Sequence, residues 1–235
     1  MDIDRRTAIT AGLAVGAAFA PAEGLAQTAA AAAATKPEFE PKPLPFDPSS
    51  VSGLSAKLLI SHHDNNYLGA VKRLGSIRDE FRRLDPASAP GYVINGLKRE
   101  ELIAWNSMIL HELYFASFSG SDRPSDRLAQ AIERDFGSHA RWAAEFVGMG
   151  KALGGGSGWV LLNWSERDGK LVNQWAADHT MALAGGTPLI ALDMYEHAYA
   201  IDYGAKAADY VHAFMKALAW DTATRRFDRA SSDRR

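Results

Sequence analysis

Asp193 and His197 stand four residues apart in Leu192-Asp193-Met194-Tyr195-Glu196-His197-Ala198-Tyr199, directly after the apolar run Leu189-Ile190-Ala191-Leu192. In a helical turn, a carboxylate and an imidazole at that spacing point to one side. So placed, they can grip one divalent or trivalent metal ion together. A solvated or mutually hydrogen-bonded pair has the same spacing, so the motif by itself leaves both readings open. The chain contains no cysteine, which removes thiolate ligands, disulfides and thiol nucleophiles together. Any metal must therefore rest on His, Asp and Glu side chains.

The elements that must position this pair can be read in outline. The run 189–192, after Gly185-Gly186 and before the polar cluster, reads as a buried strand ending in a corner. Upstream, Gly158 to Trp164 is a strand, Glu166 to Gly169 a turn and Lys170 to Ala177 a second strand, forming a hairpin. Ser55 is a fair N-cap for a long helix running to about Leu84. Its apolar stripe (Leu54, Leu58, Leu59, Ala70, Val71, Leu74, Ile77) carries His62. Pro86 to Pro90 breaks the chain. A second helix, from about Lys98 to Ser117, is apolar on most sides and so buried; it holds His111. A histidine on such a face is often a hydrogen-bonded core residue. Helices follow at 125–136 and 140–153, the second closed by Gly154-Gly155-Gly156, and a last one spans about Ala205 to Ala219.

Helices first and an antiparallel sheet later make the fold α+β. An N-terminal long-helix hairpin is expected to pack on a C-terminal domain whose three-stranded antiparallel sheet is surrounded by helices. The chain has 235 residues, 47% hydrophobic and 23% charged, which suits a globular protein with a full core. A net charge of −2 and the lack of a basic stripe speak against a nucleic-acid partner. Residues 1–26 read as a twin-arginine-like export signal: Arg5-Arg6 precedes an apolar run too short to span a membrane, and small residues follow at Gly24-Leu25-Ala26. Residues 27–43 are a linker or extended arm, 44–120 the helical hairpin domain, 121–225 the C-terminal domain and 226–235 a charged tail. The expected location is periplasmic, with no membrane span in the mature chain.

Leu192 to Tyr199, followed by Ile201-Asp202-Tyr203, resembles the D-[VMAE]-[WFY]-E-H-A-[YF] stretch of the iron/manganese superoxide dismutase family. Three further segments are similar in order: Leu54-Ser55-Ala56 with His62 on the long first helix, His111-Glu112-Leu113-Tyr114-Phe115 on the buried helix, and Gly156-Ser157-Gly158-Trp159 opening the first strand. The likeness covers about residues 44–225. It implies four metal ligands, His62, His111, Asp193 and His197, holding one iron or manganese ion per subunit. Three imidazoles and a carboxylate suit either metal. It further implies an oxidoreductase that converts superoxide to dioxygen and hydrogen peroxide, and a homodimer in which Glu196 reaches the partner subunit's site. The family orients its solvent and proton chemistry with a Gln or His. Ser107, one turn before His111, is too short, which leaves His179 as the candidate; an exposed loop histidine is the alternative. Trp159 and Tyr195 resemble the aromatic wall that keeps the metal dry. His63, His139 and His212 are read as structural or surface residues.

The chain also departs from the family pattern. A Tyr usual two helical turns after the first ligand is Ala70. A His four residues after that ligand is Asn66, and its usual partner across the dimer, a Tyr, is Ala200. Tyr67 is five residues past His62, which on an α-helix puts it on another face. A second reading is therefore a catalytically weak, metal-binding relative of the cell envelope. A non-haem iron oxygenase, with two His and one carboxylate, and a metal-free binding module are more distant alternatives.

Overall fold

The computed structural model describes residues 39–232. The export signal expected at residues 1–26, and the linker as far as residue 38, lie outside the described residues. The end of the arm is docked on helices. Phe39 packs edge-on to Trp105 at 5.5 Å with the Arg78 guanidinium over both rings, and the Lys42 N–H donates to the Tyr67 hydroxyl at 2.7 Å.

The Ser55 hydroxyl accepts the Leu58 N–H and caps α1 (Ala56–Ser61), as its residue type predicts. The long helix ends at Arg83, but it is not uniformly α. Residues His62–Tyr67 are wound as a π-helix before α2 (Leu68–Arg83) resumes, and the Leu68 N–H bonds to the His63 carbonyl five residues back. Such wide turns insert a residue into the α repeat and recur at functional sites. Here the wider winding lets His62 and Tyr67 both face inward and become buried. Tyr67 is thereby buried, while its hydroxyl turns to Glu112 and Lys42, away from the wall that carries Ala70.

The second helix, α3 (Gly91–Ala116), starts seven residues before the predicted Lys98. Its first turn is closed by the Val93 N–H on the Pro90 carbonyl at 2.9 Å, and two weak helix formers, Gly91 and Gly96, obscure that start in the sequence. Helices α4 (Asp126–Phe136) and α5 (His139–Ala152) are capped by the hydroxyls of Ser125 and Ser138. The sheet has strands β1 (Trp159–Ser165), β2 (Lys170–Ala176) and β3 (Gly186–Asp193), antiparallel in the order β2-β1-β3. Every residue of the central β1 is buried. A register shift between Leu162 and Asn163 brings Asn163 opposite Pro188 and extends β3 upstream of the predicted Leu189. Register sets Trp159 directly across from Asp193.

Gly158 makes that register possible. Its φ is +129°, and a Cβ there would sit 2.2 Å from the Ala176 carbonyl oxygen, while its own carbonyl accepts the Met194 N–H at 2.9 Å. Gly158→Ala is expected to cost about 3 kcal/mol, read as a lowered urea midpoint, because backbone on both strands must move.

After β3 the chain differs from the predicted helical turn. Asp193 ends the strand, Tyr195 stays extended, and a single 3₁₀ turn (Glu196–Ala198) leads into the short α6 (Ala200–Tyr203). Helix α7 (Ala207–Ala217) stops at Leu218. A further helix, α8 (Asp221–Ser232), begins at once, so the stretch read as a charged tail from residue 226 is helical to Ser232. Its Ala223 and Phe227 are buried, and this narrow apolar stripe is masked in the sequence by arginines and aspartates. Leu58 of α1, Tyr114 of α3, Trp159, Leu192 and Phe214 all belong to one core. Among the described residues no helix is long and apolar enough to cross a membrane.

Candidate metal centre

Four elements from distant parts of the chain deliver one side-chain cluster. The π-helical turn contributes His62, α3 contributes His111, the end of β3 contributes Asp193, and the following 3₁₀ turn contributes His197. One ligating atom from each lies within 4.8 Å of all the others. The Asp193 Oδ2 is the common neighbour, 3.1 Å from His62 Nε2, 3.2 Å from His197 Nε2 and 3.5 Å from His111 Nε2. His62, His111 and Asp193 are buried, and His197 is partly exposed. Convergence of 193 and 197 thus arises from a strand end and a 3₁₀ turn, where the sequence suggested one helical face.

His111 and Asp193 are held from behind by hydrogen bonds, and His62 by packed rings. The His111 Nδ1–H donates to the Ser107 carbonyl at 2.6 Å, which fixes the tautomer and leaves Nε2 as a bare acceptor. That Nε2 is buried, faces the cluster and has no hydrogen-bond donor. The Asp193 Oδ1 takes the Tyr195 N–H at 2.9 Å, and its main-chain carbonyl takes the Tyr210 hydroxyl at 2.7 Å. Tyr114 lies 4.8 Å and Phe115 5.1 Å from the His62 ring.

Burial sets the protonation states. Loss of water pushes His111 down to about 3, assisted by the neighbouring His62. Burial likewise lowers His62 against the opposing pull of Asp193. For Asp193 burial acts upward, but the charge of His197 and hydrogen bonds from His197 and His62 outweigh it and hold the carboxyl well below its usual range. Neutral imidazoles and an ionised carboxylate are what metal binding requires.

The donor set fits an ion of the size expected. Donors about 2.0–2.2 Å from a common centre and roughly 90–120° apart lie roughly 3–3.8 Å from one another, and opposed ones about 4.4 Å. The Asp193 contacts fall in the first range, and the 4.8 Å limit is a few tenths of an ångström above the second. An orphaned buried acceptor costs about 1–3 kcal/mol, and a cation among these four atoms satisfies His111 Nε2 directly.

The remaining predicted residues surround this cluster. Trp159 is fully buried, edge-on to His111 at 5.3 Å, and its indole N–H donates to His179 Nδ1 at 3.0 Å. His179 is 6.3 Å from His111 and 4.9 Å from Tyr195 by ring centroids, and burial lowers its pKa. Tyr195 stacks on His197 at 5.4 Å, and burial pushes its hydroxyl up to about 12. Glu196 points to solvent and makes no hydrogen bond or ion pair among the described residues. His63 bonds Asp64 and the Lys42 carbonyl, away from the cluster. Tyr67 gives its hydroxyl to Glu112, so it does not front the site. A cavity of about 380 Å³, with Asn66, Ala70, Ser107, His179 and Tyr195 among its walls, reaches the residues packed around the cluster but none of the four ligands themselves.

Sequence reasoning missed the role of Tyr210. A phenol on the buried face of the last helix is the available signal, since its hydroxyl must find a partner. That partner, the Asp193 carbonyl, becomes visible only once α7 is docked behind β3.

Comparison with known proteins agrees with this geometry. Residues 124–226 match the family described as iron/manganese superoxide dismutases, C-terminal domain. "Superoxide dismutase [Fe]" of Cupriavidus metallidurans is 61% identical over 195 residues, covering 83% of this chain and 99% of that one. "Superoxide dismutase [Mn] 1" of Halobacterium salinarum is 35% identical over 206 residues, 83% and 97% of the two chains. "Superoxide dismutase [Fe]" of Aquifex pyrophilus is 32% identical over 191 residues, 78% and 88%. With the ordered motifs, the α+β fold and a buried three-histidine, one-aspartate cluster all in place, the chain belongs to the iron/manganese superoxide dismutase family.

Proposed function

We propose that the protein is a superoxide dismutase, working at one iron or manganese ion per subunit held by His62, His111, Asp193 and His197. The observation that carries this reading is the bare, buried Nε2 of His111 aimed at a carboxylate and two further imidazoles. When bound, the ion supplies reversible one-electron exchange with superoxide. The chain's own residues supply the rest. Ser107 holds the His111 tautomer, Tyr195 and Tyr210 anchor Asp193 at its carboxylate and carbonyl, and Trp159 keeps bulk water off the His111 face. His179 lines the 380 Å³ cavity and is oriented by the Trp159 indole, which suits it to order solvent and pass protons beside the ligands. Arg73 lines the same cavity with its guanidinium paired to Glu100. Iron is the favoured ion, because the relative at 61% identity is named for it.

A second reading has its own observation. Ala70 and Asn66 bring no phenol or imidazole to the cavity, and the Tyr67 hydroxyl is committed to Glu112 and Lys42. A relative that keeps the metal cage but turns over slowly fits that wall. Protein loaded separately with iron and with manganese, assayed for superoxide loss per bound ion, decides between them. Rapid loss with one ion supports the dismutase; full occupancy without activity supports the weak relative.

The protein is further proposed to act as a homodimer and outside the cytoplasm. Support for the dimer is the solvent-facing Glu196 beside the ligand His197, with the exposed Ile201 following on α6. Support for export is Arg5-Arg6 ahead of the apolar leader. A dimer mass that falls to a monomer in Glu196→Arg, and retention in the cytoplasm when both arginines become Lys, are the expected results. A monomeric native protein sinks the first proposal, and unchanged export sinks the second.

A further inference from the structure

A second cavity, of about 420 Å³, shares the Phe115 wall with the ligand cluster but is lined by none of the four ligand residues. Its floor is apolar, formed by Ile109, Leu113 and Phe115 of α3, and the docked arm from Lys42 to Pro45 closes one side. Across from the arm stands the first half of α8. Thr222, Arg225, Arg226 and Arg229 follow the i, i+3, i+4, i+7 spacing of one helix face, and the first three line the cavity. Ala223 and Phe227, on the other face, are spent on the core.

The charges at this cavity do not cancel. Its one carboxylate, Glu112, is already engaged by Lys42 and by the Tyr67 hydroxyl. Arg225 donates only to the Thr222 hydroxyl at 2.8 Å, and Arg226 only to the Pro188 carbonyl at 2.5 Å. Asp228, the nearest acid along α8, is taken by Arg127 at 3.0 Å. Among the described residues no carboxylate lies within ion-pair distance of Arg225, Arg226 or Arg229. Arg226 is half-buried, and burial together with the neighbouring Arg229 works against its charge. Holding a guanidinium there without a counter-ion is costly, and two adjacent forks over an apolar floor match a carboxylate with a hydrophobic body. The volume lies within the usual small-molecule range of roughly 300–1,000 Å³.

We propose that this cavity binds an amphipathic organic anion, its carboxylate on Arg225 and Arg226 and its aliphatic or aromatic body on Ile109, Leu113 and Phe115. An inorganic anion wastes the apolar floor, and a neutral lipid-like molecule leaves the arginines unanswered. The inference does not depend on the dismutase reading.

Decanoate, decan-1-ol and inorganic phosphate serve as probes, titrated by calorimetry into the full-length, metal-loaded protein. Decanoate is expected to bind one per chain, at least tenfold tighter than either of the others. Two variants act on opposite ends of the site: Arg225→Gln with Arg226→Gln removes the charge, and Ala116→Phe fills the space. Each is expected to weaken decanoate at least tenfold while leaving the metal content unchanged. No decanoate binding at millimolar concentration overturns the proposal. So does decanoate binding that both variants leave intact, and so does phosphate binding as tightly as decanoate, which marks a plain basic patch.

Discussion

Asp193→Asn is expected to lower the metal content of the purified protein at least ~10-fold and its superoxide dismutase activity at least ~100-fold. The Asp193 Oδ2 is the one atom within 3.5 Å of all three imidazole Nε2 atoms, so it holds the negative charge that any ion there must use. Asn keeps the size and the Oδ1 acceptor for the Tyr195 N–H, and the main-chain bond to Tyr210 is untouched. The fold should therefore survive, with an unchanged far-ultraviolet circular dichroism spectrum. Loss of outer partners of metal ligands alone typically costs 10–100-fold in affinity or activity, and removal of the ligand charge must exceed that. Normal metal content and activity in a folded Asp193→Asn protein would remove these four residues from the centre of the account.

Acid is expected to destabilise the chelator-treated protein steeply. His62 and His111 are neutral in the fold because burial lowers both, His111 to about 3. In the unfolded chain each titrates near 6.5. Below that pH the unfolded state binds protons that the native state refuses, so stability falls as pH falls. For His111 the slope approaches about 1.4 kcal/mol per pH unit below pH 6.5, and His62 adds to it in the same direction. Asp193 adds nothing in this window: its depressed native pKa makes a contribution that persists above ordinary carboxylate values and is lost only at lower pH. A bound ion demands the same neutral imidazoles, so the loaded protein should hold its stability to lower pH and then release metal and structure together. Urea unfolding at several pH values, with and without metal, reads both slopes. His111→Gln should lower the slope of the metal-free form, and a slope indifferent to that change contradicts the burial argument.

Much of this protein is legible in one dimension because its rules are local. Ser55, Ser125 and Ser138 cap their helices because a hydroxyl placed just before a helix satisfies a free N–H wherever it occurs. Gly158-Trp159 opens a strand and Asp193 closes one, and period and punctuation alone separate helices from the later sheet. The ligand set could be named from the likeness of four short segments to one family. Three features depended on the packed molecule. The π-turn at His62–Tyr67 arises within a sequence that reads as ordinary helix, and it alters which residues face inward. Helix α8 hides behind its charged face until Ala223 and Phe227 find the core. Tyr210 meets Asp193, and Arg226 meets the Pro188 carbonyl, only through docking of elements 17 and 38 residues apart. Residue type and spacing determine which elements form, since those preferences act within a turn or two of the chain. Which atoms end up within 3 Å of each other is decided by close packing of the whole core.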